Sequence, residues 1–471
     1  NISSGDNYVF ISRFFSGQED WSGELNGQQI DVDTGEVLSS STDWSANDKL
    51  ATNTSRSIYL FDSGATNKLK AFSWSSLSSG EQAYFLAPHI KTPGRALSQF
   101  CSFGTTCLSA ADQTAAEGSL LVEYLRGDRS KEGTLSDTSN FFRKRMPVRE
   151  KKPPAVPALL GDIVNSEAMY VKAPLYNYAD AGYSAFKLAN EKDKRRGMVY
   201  VGANDGMLHA FDAKTGDEVW AYIPTMVIPK LYRLADKEYG KDHQFYVDGS
   251  PVSGDIYDGS AWKTILVGGL GAGGRGYFAL DITDPNSPKA LWEFTDNNLG
   301  LTLGKPEITK LKDGTWVAIF ASGYNNVSPG DGRGRLFVVN AATGALIRSI
   351  DTGVGSIGTP SGLSQIRAWV DRTDVNNTTL RVYGGDNLGN VWRFDVNGGA
   401  SGSDAQLLAT LRDKDGNPQP LTARPELGLV NGKAVVYVGT GRYLGVTDLS
   451  DKKTQTIYAI KDELGSTGWG D

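Results

Sequence analysis

The segment MVYVGANDGMLHAFDAKTGDEVWAYI, residues 198–223, indicates the fold most clearly. A run of β-branched and aromatic residues ends in Gly202, a turn rich in Asn, Asp and Gly follows, and a second apolar run ends in Asp212. The segment DAKTG then makes another turn before a third apolar run, which contains Trp220. Strand, tight turn, strand, turn and strand form a β-meander. The stretch therefore predicts a small antiparallel sheet.

The same pattern recurs along the rest of the chain. It returns at residues 264–294, 317–350, 380–396 and 435–462, and residues 160–174 resemble one more strand that joins the series. A sheet of this size cannot bury both of its faces alone, so neighbouring repeats must supply the core. The repeats therefore predict an all-β fold of the β-propeller type, in which long excursions connect the strands.

The N-terminal third has a different character. Residues 1–75 contain strand-like runs and are predicted to contribute strands to the propeller. Residues 76–155 are predicted to form a helical and loop excursion, because Ala and Leu occur at helical spacing between residues 80 and 125. This excursion ends in a basic, Pro-rich segment, which predicts a solvated linker. Residues 156–471 are predicted to form the propeller core.

The composition excludes several classes of protein. Ten Trp, 20 Tyr, 18 Phe and 55 Gly residues suit short strands joined by tight turns. A charged fraction of 22% and a hydrophobic fraction of 39% exclude a disordered chain. No apolar run is long enough for a transmembrane helix. The net charge of −6 argues against nucleic acid as the primary ligand.

The chain has two cysteines, Cys101 and Cys107. Two thiols this close together in a long chain predict a local disulfide and an oxidising compartment, with two unrelated reduced cysteines as the alternative. The pair is not a CxxC motif, and His89, His209 and His243 stand in unrelated contexts, so a zinc site is not expected. The chain begins with Asn and without a signal peptide, which favours an excised fragment of a mature protein.

Five motifs then appear in order along the chain. They are VEYLRGDRSKEG, LGDIVNSEAMYV, MVYVGANDGMLHAFDAKTGDE, GGLGAGGRGYFALDITDP and GDNLGNVWRFDV. Together they resemble the PilC/PilY family of type IV pilus biogenesis factors and pilus-associated adhesins, and the resemblance covers nearly the whole chain. It implies a modified, quinoprotein-like β-propeller at the C-terminal end of a longer exported protein. We expect seven blades.

The resemblance also implies a function. We expect a non-enzymatic binding domain that supports pilus biogenesis against retraction, adhesion, twitching motility or DNA uptake. The expected partners are minor and major pilins at the pilus tip, together with a host or surface ligand. The expected location is the periplasm, the outer membrane and the cell surface, with no membrane span. The excursions at residues 224–250 and 296–316 are predicted to form the binding surface, because functional residues favour loops on a rigid scaffold.

Two alternative functions stay open beside the hypothesis of a pilus-associated binding domain. A quinone-dependent dehydrogenase shares the repeat pattern, but such enzymes pair their cofactor with a vicinal Cys–Cys disulfide, and the chain has no adjacent cysteines. The second alternative is a purely structural scaffold for an upstream adhesive domain. No cofactor is expected, and calcium is the metal for which candidate ligands are present.

The calcium candidates are Asp371, Asp374 and Asn376, in the stretch VDRTDVNNTTLRVYGGD. The family resemblance implies an EF-hand-like acidic loop at this place, and calcium requires six to eight oxygen ligands. The spacing here does not fit, because the first acid of that loop falls on Arg372 and the last on Leu380. We therefore expect a polar hairpin with no specific calcium, or with millimolar binding only.

Three other motifs favour structural roles. The tripeptide Arg-Gly-Asp ends at Asp128 and lies inside a motif of the family resemblance, which favours a structural role for this carboxylate. Residues 413–417, DKDGN, predict an Asp-Gly turn. The glycine-rich segments at 271–276 and 330–335 precede strands and not helices, so they predict hairpin turns and not phosphate-binding loops.

Overall fold

The computed structural model describes residues 7–17, 20–31, 33–38, 43–102, 104–146, 157–191, 193–398 and 404–470. Strands dominate over helices, which confirms the predicted all-β class. By their internal contacts the residues form two compact units. The first comprises residues 1–172, 195–251 and 284–290, and the second comprises residues 173–194, 252–283 and 291–471. The three-part division of the chain, with boundaries at residues 75 and 155, stays a prediction.

The first unit begins with a three-stranded antiparallel sheet. Its strands are β1 (Tyr8–Phe15), β2 (Ser22–Gln29) and β3 (Trp44–Ser45), and helix α1 (Ala46–Thr52) follows directly. Ser45 caps this helix, because its hydroxyl accepts the N–H of Asp48 at 3.3 Å. Phe10 and Trp44 are buried in one core with Val201. The N-terminal residues are therefore packed against the segment 198–223.

Residues 58–143 add two strands, a helical segment and a short strand pair. In chain order these are β4 (Ile58–Phe61), β5 (Leu69–Ala71), α2 (Ser79–Gln82), α3 (Ala87–Ile90), α4 (Ala110–Ala115), α5 (Ser119–Arg126), β6 (Glu132–Gly133) and β7 (Phe142–Arg143), with 3₁₀ helices at Trp74–Ser76, Ala83–Phe85 and Ser98–Phe100. The helical excursion predicted for this third of the chain is confirmed. In α5 the apolar residues Leu121, Val122 and Leu125 are buried, as expected for an amphipathic helix.

The stretch at residues 198–223 lies in a six-stranded sheet of the order β5-β4-β11-β10-β9-β8. The new strands are β8 (Met169–Val171), β9 (Met198–Ala203), β10 (Met207–Asp212) and β11 (Glu218–Ile223). They pair antiparallel with each other, whereas β4 joins β11 in parallel, with Ile58 opposite Ala221. The N-terminal residues thus supply two strands, β4 and β5, to this sheet.

The basic segment after α5 differs from the predicted solvated linker. Arg143 and Arg145 are buried, and both are paired: Arg143 with Asp20, and Arg145 with Glu132 at 2.5 Å. The expectation of a solvated segment is therefore wrong for these two side chains, because a count of charges does not show which carboxylates the fold brings to them. Residues 147–156, which hold most of the Pro-rich stretch, lie outside the described residues.

The excursion at residues 224–250 is mostly core and not the exposed loop that was predicted. It forms 3₁₀ helices at Thr225–Val227, Tyr232–Ala235 and Tyr239–Lys241 and a single α-helical turn at Ile228–Leu231. Ile228, Leu231 and Tyr232 are buried, and the Tyr232 hydroxyl donates to the carbonyl of Arg95 at 2.8 Å. Its apolar side chains contribute to the core of the first unit, which leaves little of this excursion for a partner.

The later repeats form separate sheets, each in sequential strand order, and apart from residues 289–290 their strands belong to the second unit. The first sheet contains β12 (Val252–Tyr257), β13 (Trp262–Gly269), β14 (Tyr277–Asp281) and β15 (Lys289–Phe294), and the second contains β16 (Glu307–Lys310), β17 (Trp316–Ala321), β18 (Arg333–Asn340) and β19 (Leu346–Gly355). The third sheet contains β20 (Ile366–Val370), β21 (Thr379–Gly385), β22 (Asn390–Phe394) and β23 (Ala405–Thr410), and the fourth contains β24 (Glu426–Val430), β25 (Lys433–Gly439) and β26 (Ile457–Asp462). Helix α6 spans Tyr183–Ala189. Each predicted repeat is thus one antiparallel sheet. The count of seven blades stays a prediction.

The excursion at residues 296–316 also differs from its predicted role. It contains β16, the first strand of a sheet, and Leu299 is fully buried. Thr302 is buried as well, and its hydroxyl donates to the carbonyl of Gly276 at 3.1 Å. This excursion is therefore part of the sheet structure and not an exposed binding loop.

Three tryptophans occupy equivalent places in successive sheets. Each lies in the last antiparallel strand of its sheet, and its indole N–H donates to a turn carbonyl: Trp44 to Ala213 at 3.0 Å, Trp220 to Pro285 at 2.9 Å and Trp292 to Ala341 at 2.9 Å.

In the turn that Trp292 contacts, the Asn340 side chain accepts the N–H groups of Ala342 and Thr343, both at 3.0 Å. Gly344 closes the turn with φ +73°. The Asp-x-x-Thr-Gly pattern and its Asn variant therefore encode a turn that a tryptophan covers.

The substitution Gly344→Ala tests this packing. A Cβ at Gly344 would lie 2.5 Å from Cγ of Trp292, whereas a Cβ at Gly353, which has φ +71°, would meet no atom within 4 Å. We expect Gly353→Ala to cost about 1–2 kcal/mol for the left-handed backbone alone. Gly344→Ala should cost a further ~1–3 kcal/mol, because the site is overpacked. Urea unfolding followed by tryptophan fluorescence measures both, and equal losses would contradict the packing role.

Candidate functional site

His209 lies in β10 with a carboxylate at each ring nitrogen. Its Nδ1 is 2.8 Å from Oε1 of Glu218, and its Nε2 is 3.0 Å from Oδ2 of Asp205. Arg56 completes the group, because its Nε and Nη2 donate to the two carboxylate oxygens of Glu218 at 2.6 and 2.8 Å. The side chains of His209 and Glu218 are fully buried. Since both ring nitrogens face carboxylates, we infer that His209 is the charged imidazolium.

The charges of this group balance one another. Burial disfavours the charged form of His209, but the Asp205 and Glu218 carboxylates outweigh this effect and raise the pKa to about 9. Burial also disfavours the charged form of Glu218, but Arg56 and His209 lower its pKa to about 2. Two cations and two anions thus form a neutral cluster inside the first unit.

The cavity beside this cluster is too small for a substrate. Arg56, Asp205 and Asp162 are among its lining residues, and its volume is about 30 Å³, which holds about one water molecule. Small-molecule sites generally occupy roughly 300–1,000 Å³. The cluster is therefore a structural ion network of the core.

The other two histidines also have partners. Nε2 of His243 is 2.9 Å from Oδ2 of Asp162, and the His243 ring stacks on Trp21 with 4.0 Å between the centroids. Nε2 of His89 is 2.7 Å from the carbonyl of Pro229. All three histidines thus have polar partners that the separate sequence contexts did not reveal.

The calcium candidates lie in the hairpin between β20 and β21. The Asp371 carboxylate accepts the side-chain N–H of Asn376 at 2.9 Å, and the Asp371 backbone N–H donates to Thr378 at 2.8 Å. The Asp374 carboxylate is 3.8 Å from the guanidinium of Arg372. The side chains thus bond within the hairpin. Among the described residues, no group of three or more His, Cys, Asp or Glu side chains is arranged to hold a metal ion.

Two other acidic residues organise local turns. Oδ1 of Asp128 accepts the backbone N–H and the hydroxyl of Ser130 at 2.7 and 2.6 Å, and these bonds lower the pKa of the Asp128 carboxyl. Oδ1 of Asp413 accepts the backbone N–H groups of Asp415 and Asn417 at 2.9 and 2.8 Å. Each carboxylate uses its oxygens to hold the backbone that follows it.

Cys101 and Cys107 are joined by a disulfide, with 5.2 Å between their Cα atoms. The closed loop lies in the helical excursion, between the 3₁₀ helix Ser98–Phe100 and α4. The Gln113 side chain in α4 donates to the carbonyls of Cys101 and Leu108 at 3.1 and 2.9 Å. The crosslink and the amide together attach this loop to the helices beside it.

The connection between β25 and β26, residues 440–456, exposes large apolar side chains. Tyr443 is 69% exposed, Val446 is 80% exposed and Leu449 is 62% exposed. A 3₁₀ helix, Val446–Ser450, carries two of these residues. We call this segment the 440–456 loop.

One carboxylate holds the backbone of the 440–456 loop. Asp448 accepts the N–H of Leu444 at 2.8 Å and two N–H groups of the Arg442 guanidinium at 3.0 and 2.8 Å. These bonds lower the pKa of the Asp448 carboxyl, the Leu444 bond most strongly. At the base of the loop, the backbone N–H of Thr440 donates to the carbonyl of Thr456 at 2.9 Å. A held backbone that presents exposed apolar side chains is typical of a protein-binding surface.

Comparison with known proteins now identifies the family. The family model of the PilY1 beta-propeller domain matches residues 160–468. The chain belongs to the PilY1 β-propeller family. This confirms both the family resemblance and the propeller fold predicted from the sequence.

Two relatives and one solved structure show the extent of the similarity. The type IV pilus biogenesis factor PilY1 homolog of Xylella fastidiosa is 38% identical over 376 residues, which are 77% of this chain and 28% of that protein. The type IV pilus biogenesis factor PilY1 of Pseudomonas aeruginosa strain PAK is 34% identical over 490 residues, 95% of this chain and 38% of that protein. The crystal structure of the Pseudomonas aeruginosa PilY1 C-terminal domain has 33% identity and a TM-score of 0.54, over 64% of this chain and 66% of that one. The chain spans about a third of the length of these curated relatives.

Sequence reasoning missed two of these features. The 440–456 loop had a local signal, because GRYLGVTDL places Tyr443, Leu444, Val446 and Leu449 in a connection where polar turn residues are expected. The ion pair between Arg56 and Glu218 had no local sequence signal, because 162 positions separate the two residues. Only the pairing of β4 with β11 brings them together.

The His209 cluster makes stability depend on pH. The pKa of histidine is about 6.5 in an unfolded chain, and that of His209 is about 9 in the folded protein. A raised pKa contributes stability that is complete below about pH 6.5 and is lost as the pH rises through about 9. We expect the melting temperature of the wild type to fall over this range, and to fall less for His209→Gln, which carries no charge. Circular dichroism melts measure both, and parallel pH profiles would contradict the role of this charge.

Calorimetry tests the calcium candidates. Leu380 stands where the family loop requires a carboxylate, and Asp371 already bonds to Asn376, so we expect no calcium binding tighter than millimolar. The titration uses calcium chloride with the wild type, with Asp371→Ala and with the control Asp413→Ala. Micromolar affinity that only Asp371→Ala abolishes would show that our argument from spacing is incorrect.

Proposed function

We propose that this chain is a non-enzymatic binding domain of a type IV pilus biogenesis factor and that its 440–456 loop binds pilin subunits. The relatives that cover most of the chain are named type IV pilus biogenesis factors, which supports a role in pilus assembly. The observation that carries the binding role is the Asp448 contact network, which holds the loop while Tyr443 and Val446 remain in solvent.

The chemistry of the loop suits a protein partner. Tyrosine supplies a large contact area with few rotatable bonds and is enriched among the residues that dominate binding energy. Because Asp448 already orders the backbone, binding would cost less conformational entropy than it would for a free loop. The loop connects two paired strands, β25 and β26, so it stands on a rigid sheet.

The cellular role follows from this contact. A domain that holds minor or major pilins at the pilus tip would support extension against retraction, and it would serve adhesion, twitching motility or DNA uptake through the same fibre. The disulfide between Cys101 and Cys107 supports an exported location in the periplasm or at the cell surface. No helix in the described part of the chain has the length and apolar character of a membrane span. A host or surface ligand is a further proposed partner.

The two alternatives predict different behaviour. A quinone-dependent dehydrogenase would rest on fold-level analogy alone, and the chain lacks the adjacent cysteines that such enzymes pair with their cofactor. Dye-linked alcohol oxidation by the purified chain would favour that alternative. A purely structural scaffold would bind no pilin at all.

The decisive experiment measures pilin binding by the purified chain. Soluble minor and major pilin domains from the same bacterium are titrated onto the immobilised chain in biolayer interferometry. We expect Val446→Asp and Tyr443→Ala to weaken binding of a pilin at least about tenfold, since a buried anchor residue typically contributes more than about 1.4 kcal/mol.

The matched control is Ile357→Asp. Ile357 is 67% exposed, also in a connection between strands of the second unit, so the substitution makes the same type of change away from the 440–456 loop. We expect it to leave pilin affinity within about twofold of the wild type, a change of roughly 0.4 kcal/mol. Absence of pilin binding by the wild type would overturn the proposed partner. Equal losses for Val446→Asp and Ile357→Asp would overturn the proposed loop.

A further inference from the structure

A pocket of about 350 Å³ lies beside β6 and β7 in the first unit. Leu135, Lys144, Met146, Lys237 and Lys241 are among its lining residues. Its volume is within the range of roughly 300–1,000 Å³ that ligand sites occupy. It is therefore more than ten times larger than the cavity beside the His209 cluster.

Two of the three lysines, Lys144 and Lys237, form no ion pair with a carboxylate among the residues that the structure describes. Lys241 pairs with Glu238 at 2.6 Å. The Lys237 ammonium donates to two backbone carbonyls, one of them that of Asn140 at 2.7 Å, so two of its three N–H groups are used and its charge is not neutralised. The Lys144 side chain is exposed. The pocket is thus locally cationic, although the whole chain has a net charge of −6.

A buried glutamine, Gln99, holds the backbone at Lys237. The buried Gln99 accepts the backbone N–H of Lys237 at 3.2 Å and donates to the carbonyls of Phe141 and Ala235, both at 3.0 Å. Burial lowers the pKa of Lys237, against the opposing charge of Asp137. A bound anion would offset part of this cost of burying the ammonium.

The rest of the lining limits the chemistry of the ligand. Met146 is exposed and Leu135 is half-buried, so the cations stand beside apolar side chains. The guanidinium of Arg143, which also lines the pocket, is occupied by its ion pair with Asp20 and by a bond to the carbonyl of Leu234 at 2.9 Å. Arg143 therefore has no free pair of N–H groups with which to bind a phosphate in a bidentate manner. The pocket favours carboxylates attached to an apolar body.

We propose that this pocket binds an acidic peptide segment of a partner protein. Carboxylates of the segment contact the ammonium groups of Lys144 and Lys237, and an adjacent apolar side chain contacts Leu135 and Met146. Because the chain as a whole is acidic, the attraction comes from these local charges and not from net charge. The site lies in the first unit and does not require that the 440–456 loop bind pilins.

The test uses defined peptides with the full chain. Fluorescein-labelled Glu-Leu-Glu-Leu-Glu and its neutral counterpart Gln-Leu-Gln-Leu-Gln are titrated at low ionic strength, with inorganic phosphate as a competitor. We expect the acidic peptide to bind at least tenfold more tightly than the neutral one and to weaken as salt is added. Lys144→Glu should weaken the acidic peptide at least tenfold. Lys214→Glu, which makes the same charge change at an exposed lysine of the same unit, should change the affinity less than twofold.

A second readout locates the ligand without relying on affinity. The chain has five methionines, and the methyl resonance of Met146 can be assigned with Met146→Leu. We expect the acidic peptide to shift this resonance more than the other four. Equal affinity of the two peptides, equal effects of Lys144→Glu and Lys214→Glu, or an unmoved Met146 resonance would each overturn the proposal. Displacement of the peptide by phosphate at equal concentration would also overturn it and would assign the pocket to phosphate groups.

Discussion

The contact between a tryptophan and a turn is the interaction on which the repeated sheets depend. The indole of Trp292 donates to the carbonyl of Ala341, and the left-handed Gly344 lets the ring lie directly on the turn. A sheet of four short strands has two faces to cover, and it cannot be stable alone. Trp44 makes the equivalent contact with Ala213, so the same device recurs within the first unit. Repetition of one local contact thus organises a long chain.

Buried ion pairs determine how segments of the first unit that are distant in the sequence attach to one another. Arg56 reaches Glu218 in the six-stranded sheet, and Arg143 reaches Asp20. A buried pair adds little net stability over apolar side chains, but loss of one partner leaves an uncompensated charge and is strongly destabilising. These pairs therefore penalise every arrangement in which the segments pack in another register. His209 extends this specificity, because its two ring nitrogens join Glu218 to a second carboxylate.

The two surfaces proposed for binding are built in the same way. In each, polar groups below the surface hold the backbone, and the side chains that would contact a partner project from it. Asp448 holds the backbone of the 440–456 loop, and Gln99 holds the segment that carries Lys237. Such ordering reduces the entropy that a partner must remove on binding. One surface offers apolar contacts and the other offers charge, so they suit partner segments of different composition.

The sequence alone determined the features that arise from residues close together in the chain. The strand–turn–strand repeats, the turn closed by Gly344 and the disulfide pairing of Cys101 with Cys107 all follow from local hydrogen bonding and chain reach. Which polar and charged residues are buried depends on the tertiary structure. Arg143 looked like part of a solvated linker, and residues 224–250 looked like an exposed loop, yet both lie mostly in the core. Burial depends on partners that are distant in sequence, and neither charge counts nor periodicity contain that information.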